Sequence, residues 1–181
     1  AAQADTIATF ADPSSSGATP LFTFTSAAGV GSLSGGWSAL GLNLLTPGLA
    51  APDFADAKFT MPAVAATGGI SVWTLGAGAV NFFDSASVPL FSITFSSGTL
   101  TSPVGTGSSD FVGDNVVISG PIVPVATLLN ESFAFSFANP PATLENYTVT
   151  SAFTSSADRI PEPSSLALLV LGSAVSLLRR R

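Results

Sequence analysis

Apolar and small polar residues alternate along several stretches of this chain. Residues 133–137 read Phe-Ala-Phe-Ser-Phe, and the same kind of alternation occurs at residues 22–25, 91–95 and 147–151. Successive side chains of a β-strand point to opposite faces of a sheet, so a period of two places the large residues of each stretch on one face. The pattern therefore predicts strands that bury one face and expose the other.

Shorter apolar stretches bounded by turn-forming residues predict further strands. These stretches are residues 58–61, 69–75, 80–83, 115–118 and 122–126. Residues rich in glycine and serine are expected to form loops, at 14–20, 31–36 and 105–113. No amphipathic helix of convincing length is evident before the C-terminal tail. Many short strands favour an all-β fold, namely a single antiparallel β-sandwich, jelly-roll or immunoglobulin-like, followed by one C-terminal transmembrane helix.

The domain boundaries follow from the two ends of the chain. Ala2, Gln3 and Ala4 have the small-x-small pattern that signal peptidase accepts, so residues 1–4 are expected to be the end of a secretory signal peptide. The predicted sandwich spans residues 5–153, a polar linker 154–160 and the tail 161–181. About 150 residues are enough for one domain with a hydrophobic core.

Charged residues are scarce, at 9% of the chain, compared with about 25% in ordinary globular proteins. Without Glu162 and the three terminal arginines, the 11 acids and 5 bases become 10 and 2, a net charge of −8. Phosphate backbones need clustered Lys and Arg for binding. Nucleic acid is therefore excluded as a partner, and the surface is expected to consist largely of hydroxyls and small side chains.

The chain contains no cysteine and no histidine. These two absences exclude thiol catalysis, the Ser-His-Asp triad and His- or Cys-ligated zinc. Only carboxylates remain for acid-base chemistry. Asp53 and Asp56, close to Lys58, are a possible glycosidase pair, and the alternative is a pair of solvated loop acids. The chain is predicted not to be an enzyme.

Two other sets of residues suggest binding. Asp110, Asp114 and Asn115 lie around Gly113 and offer the oxygen ligands that Ca²⁺ prefers, although they do not form an EF-hand loop. The alternative is that they are ordinary turn residues. No other cofactor is predicted.

The two tryptophans are the second set. Trp37 follows two glycines, and Trp73 lies within a predicted strand. An exposed indole can stack on the apolar face of a sugar ring while its N–H forms a hydrogen bond. Both residues are therefore considered for carbohydrate stacking, with packing in the core as the alternative.

The tail has three parts: Pro161, Glu162 and Pro163, then uncharged residues 164–178, then Arg179, Arg180 and Arg181. As a helix, residues 164–178 would be about 22 Å long, against a hydrocarbon core of about 30 Å. Arginine snorkelling and local thinning accommodate such a mismatch. The arginines predict a cytoplasmic anchor and place the rest of the chain outside. A buried helix of a globular domain is the alternative.

These three parts resemble the PEP-CTERM sorting signal of Gram-negative bacteria. The resemblance implies a membrane partner, an exosortase, that recognises Pro161, Glu162 and Pro163 and removes the tail. It also implies export across the inner membrane, transient anchoring through residues 164–178, and release to the cell surface or extracellular space.

The same resemblance implies an association with exopolysaccharide and biofilm formation. The predicted function is a structural or adhesive role in the cell envelope or extracellular matrix, with the exopolysaccharide as a partner. A carbohydrate-binding module is the first alternative, and a carboxylate-only glycosidase or lyase is the second.

Overall fold

The computed structural model describes residues 4–10, 21–51, 53–69, 71–101, 110–123, 128–138 and 146–159, with residues 146–150 and 159 described by their backbone alone. Within these residues the chain forms twelve strands and no helix. The strands are β1 (Ala4–Phe10), β2 (Phe22–Ala27), β3 (Val30–Trp37), β4 (Lys58–Gly68), β5 (Val72–Leu75), β6 (Gly78–Phe83), β7 (Pro89–Phe95), β8 (Ser97–Thr101), β9 (Phe111–Asp114), β10 (Val117–Ser119), β11 (Leu128–Ala138) and β12 (Asn146–Arg159). The predicted all-β class is confirmed.

All strand pairings in the described residues are antiparallel, and they join the strands into one sheet. From β4 the pairings run through β3, β2, β12, β11, β9, β8 and β5, and β5 pairs with β4 again. These eight strands therefore form a closed ring. The predicted two-sheet sandwich is corrected to a single continuous sheet.

Two long strands explain why the structure has a single sheet instead of the two sheets of a sandwich. One edge of β4 pairs with β3, and the other edge pairs with β6 at its start and with β5 at its end. Similarly, β12 pairs with β11 on one edge, and with β2 and then β1 on the other. Strands β7 and β10 extend the sheet beyond β6. Closure removes free strand edges from the ring, and such edges would otherwise favour aggregation.

The core inside the sheet is built largely from phenylalanine. Phe133, Phe135 and Phe137 of β11 are all buried, as the alternation predicted. The ring of Phe135 lies 4.8 Å from that of Phe22 and 4.9 Å from that of Phe153, measured between centroids. Strands β2 and β7 bury their aromatic and aliphatic faces in the same way.

The predicted loop at residues 31–36 is wrong, and so is the end of the one at 105–113, because these glycines lie in strands, whereas residues 105–109 lie outside the described part of the chain. Residues 31–36 belong to β3, and Phe111, Val112 and Gly113 belong to β9. A Cβ atom at Gly35 would collide with the ring of Phe22, and one at Gly113 would collide with the ring of Phe133. Glycine is used here to let an aromatic ring approach the backbone rather than to form a turn. Residues 14–20 lie outside the described residues.

The predicted linker is also wrong for residues 154–159, which are part of β12. Ser155 is buried, and its hydroxyl donates to the carbonyl of Ala8 and accepts from the N–H of Ala8, both at 3.1 Å. Ala8 lies beside a register irregularity in β1. A polar residue is therefore accommodated in the strand because it completes the pairing around that irregularity.

Other predicted boundaries differ from the structure in smaller ways. Ala4, assigned to the signal peptide, begins β1, and residues 1–3 lie outside the described part of the chain. Within the strand predicted at residues 122–126, Ile122 and Val123 form a turn instead, and residues 124–126 lie outside the described part of the chain. None of the described residues forms a helix with the length and hydrophobicity needed to cross a bilayer. The predicted helix at residues 164–178 lies outside them.

Candidate functional site

Neither tryptophan is an exposed platform for stacking on sugars. Trp37 is only 7% exposed and Trp73 only 6%. The indole of Trp73 packs edge-on against Phe24, with 5.0 Å between ring centroids, while Val72 and Thr74 on either side of it point outward. The stacking prediction is corrected to its alternative, packing in the core. Alternation shows that a strand has two faces, but it does not say which face is inside.

The three predicted calcium ligands do not converge. Asp110 directly precedes β9, and its side chain is buried. Its Oδ2 accepts a 2.6 Å hydrogen bond from the N–H of Phe137. Asp114 ends β9 and accepts from the hydroxyl of Ser97, while Asn115 follows it on the surface. Four residues of extended chain span about 13 Å, whereas calcium ligands lie about 2.3 to 2.6 Å from the ion. Among the described residues, no three acidic side chains group closely enough to hold a metal ion.

Asp53 and Asp56 both organise the loop between β3 and β4. Asp53 Oδ1 accepts from the N–H of Thr46 at 2.8 Å, and Asp56 Oδ1 accepts from the N–H of Gly41 at 2.7 Å. Each carboxylate thus holds a different turn of the same loop. This arrangement gives both acids a structural role.

One outward-facing row of residues crosses nine strands without a single charge. It is defined by cross-strand partners that follow one another around the sheet, and we call it the neutral belt. Its members are Leu45, Thr9, Thr154, Ala134, Val112, Thr99, Thr74, Thr67, Val30 and Ala27. All of them are half-buried or exposed. The belt presents methyl and hydroxyl groups side by side.

A shallow groove lies at each end of the neutral belt. The first has a volume of about 390 Å³ and is lined by Thr9, Phe10, Leu45, Ala134, Ser136, Ala152, Phe153 and Thr154. The second, of about 460 Å³, is lined by Thr25, Ser26, Ala27, Val30, Gly31 and Ser32. Neither groove has a charged residue in its lining. Such a surface can form hydrogen bonds and apolar contacts with a neutral partner, and it offers no group for ionic recognition.

Sequence reasoning did not find the neutral belt. Nine of its ten members come from nine different strands, Leu45 lies in the loop between β3 and β4, and only the register of pairing places them in one row. The only local signal for it is alternating threonines, such as Thr99 and Thr101. They show that a strand has a polar face, but not which residues of distant strands lie beside it.

The end of β12 is the second candidate site, because it leads directly into the tail. Its last residue, Arg159, is the partner of Leu128 in β11. The family model of the PEP-CTERM protein-sorting motif matches residues 159–181, so the predicted resemblance is confirmed. The motif supports an exported, exosortase-sorted protein of the cell surface or extracellular space. Comparisons with curated proteins and with solved structures gave no significant match.

Proposed function

We propose that the protein is a non-enzymatic structural or adhesive component of an extracellular polysaccharide matrix, released there after an exosortase processes its tail. The sorting motif at residues 159–181 carries this proposal. Before processing, residues 164–178 anchor the precursor in the inner membrane, with the terminal arginines on the cytoplasmic side.

The neutral belt supports contact with a polysaccharide. A single hydrogen bond contributes only about 0.5 to 1.5 kcal/mol net, so recognition has to be spread over a row of weak contacts. Thr67, Thr74 and Thr99 lie side by side on adjacent strands and supply such a row. The net charge of −8 before Pro161 would repel an acidic polymer. A neutral polysaccharide is the partner that fits both features.

Two features favour the non-enzymatic proposal. The chain has no histidine and no cysteine, and Asp53, Asp56 and Asp110 each accept a hydrogen bond from a backbone N–H. A purified β-domain is therefore expected to release no reducing ends from the host's exopolysaccharide. Turnover that disappears in Asp53→Asn or Asp56→Asn would contradict this proposal.

Affinity gel electrophoresis in the host's exopolysaccharide tests the role of the neutral belt. Changing Thr67, Thr74 and Thr99 together to valine keeps shape and strand propensity but removes three hydroxyls, so retardation should be lost. Thr60→Val is the matched control, because Thr60 is an exposed residue of β4 outside the belt. Equal retardation of the triple variant and the control would contradict binding through the belt.

Processing is tested separately in cells with and without an exosortase. Mass spectrometry should find the tail removed only when the enzyme is present. Replacing Pro161 and Pro163 by alanine should leave the full-length protein in the membrane fraction, because the helix could then extend through the motif and hide it. Normal removal of the tail in that variant would contradict the role of the two prolines.

A further inference from the structure

Strand β12 leaves almost no free chain between the folded sheet and the sorting motif. Arg159 still pairs with Leu128, and Pro161 is only two residues further on. Extended chain covers at most about 3.6 Å per residue, so Pro161 lies within about 7 Å of the last paired residue. The motif therefore begins within two residues of the folded sheet.

Strand β12 is flanked by β1 on one edge and by β11 on the other as far as Asp158. Asp158 is the partner of Ala4 in β1 on one edge and of Leu129 in β11 on the other. Ser156 is likewise placed between Thr6 and Ser132. Releasing this end of β12 would break its hydrogen-bonded ladders with β1 and with β11 at once.

Two side-chain hydrogen bonds add to these ladders. Asn130 donates from Nδ2 to Oδ2 of Asp158 at 2.8 Å, and the hydroxyls of Ser132 and Ser156 share a hydrogen bond of 2.8 Å. Asn130 has a φ of 51° and lies where the β11 register shifts between Leu129 and Ser132. We call these two hydrogen bonds the terminal clamp.

A protease binds its substrate as extended chain on both sides of the bond that it cuts, as an added strand does in other peptide-binding proteins. The four residues before Pro161 are residues 157–160, and three of them are in β12. A strand already paired on both edges cannot also be bound in an enzyme cleft. The intact sheet therefore competes with the enzyme for the same backbone.

We propose that the terminal clamp controls the access of the exosortase to the tail, so that the folded protein is processed only when the end of β12 opens. This inference rests on the proposed processing by an exosortase. Local opening of a strand end is less costly than global unfolding. The processing rate should then be proportional to the fraction of molecules in which the end of β12 is open.

Pulse-chase labelling of the full-length chain in exosortase-containing cells tests this proposal. Asn130→Gly removes one hydrogen bond of the clamp while keeping a residue that adopts positive φ readily, and Ser156→Ala removes the other. Each variant should be processed about fivefold faster, the factor expected from losing one net hydrogen bond. Six Gly/Ser residues inserted between Arg159 and Ile160 should also accelerate processing, because the motif then no longer depends on opening.

Ser92→Ala is the matched control. It removes the 2.8 Å hydrogen bond from the hydroxyl of Ser92 to Oδ1 of Asn81, which joins β7 to β6 rather than holding β12, and it should leave the rate unchanged. Unchanged or slower processing in the clamp and insertion variants would overturn the proposal, and so would equal acceleration by Ser92→Ala. If the wild-type tail persists equally with and without the enzyme, the proposed processing itself fails, and this inference fails with it.

Discussion

Phe135 shows how a single residue is used in the core of this protein. Its side chain is fully buried, and its ring stacks at 8° on that of Phe111, with 5.8 Å between centroids. Offset and edge-on ring contacts of this kind stabilise a core beyond the burial of apolar area alone. Because β11 pairs with both β12 and β9, the ring packs beneath the middle of the sheet.

Phe135→Ala should therefore lower the free energy of unfolding by about 3 to 5 kcal/mol, the usual range for a buried phenylalanine. Leu129→Ala is the control on the same strand, because Leu129 is 44% exposed and surface substitutions usually change stability by less than about 0.5 kcal/mol. Urea denaturation of both variants measures the difference. Similar losses in the two variants would mean that the described register of β11 is wrong.

At the scale of elements, β10 is a short edge strand that pairs with β7 among the described strands. Oε1 of Glu131, on β11, accepts a 2.8 Å hydrogen bond from the N–H of Ile118 in β10. A carboxylate thus accepts a hydrogen bond from a backbone N–H of an edge strand. Charged side chains at edges also discourage pairing with a second copy.

Glu131→Ala should destabilise the protein by about 1 to 3 kcal/mol if the Ile118 N–H is left without an acceptor. It should also increase concentration-dependent association, which light scattering detects. Glu131→Gln keeps an acceptor oxygen at the same position and should remain close to wild type in stability. An alanine variant that is as stable and as monomeric as the glutamine variant would show that the hydrogen bond does not protect the edge.

At the scale of the whole molecule, charge is distributed very unevenly. The residues before Pro161 carry a net −8, whereas the last three residues are all arginine. Asp53, Asp56 and Asp158 hold loops and a strand end through hydrogen bonds, and none of them is a member of the neutral belt. This distribution is consistent with the proposed anchoring, in which the arginines face the cytoplasm.

Changing Arg179, Arg180 and Arg181 to glutamine should lower the membrane-bound fraction of the precursor in cells that lack an exosortase. The physical reason is that, in the proposed anchoring, a helix of residues 164–178 would be short for a bilayer and would depend on the arginines at one end. Fractionation followed by immunoblotting measures the change. An unaltered membrane fraction would contradict this anchoring role.

Much of the strand content could be predicted from local pattern alone. The alternation at residues 22–25, 91–95, 133–137 and 147–151 placed strands where β2, β7, β11 and β12 are found. The glycines of β3 and β9 were misread because a glycine that accommodates a neighbouring ring looks the same in sequence as a glycine in a turn. The polar end of β12 was misread as a linker because the hydrogen-bond partner of Ser155 is Ala8, which lies 147 residues away in the sequence.

The sequence by itself determined which segments alternate, which residue types are present, and where the sorting motif lies. These properties are local or compositional, so no knowledge of distant partners is needed to read them. Only the tertiary structure decided that the sheet closes on itself, that Trp37 and Trp73 face inward, and that the neutral belt is continuous. All three depend on the register between strands distant in sequence, and a shift of one residue exchanges the inner and outer faces of a strand.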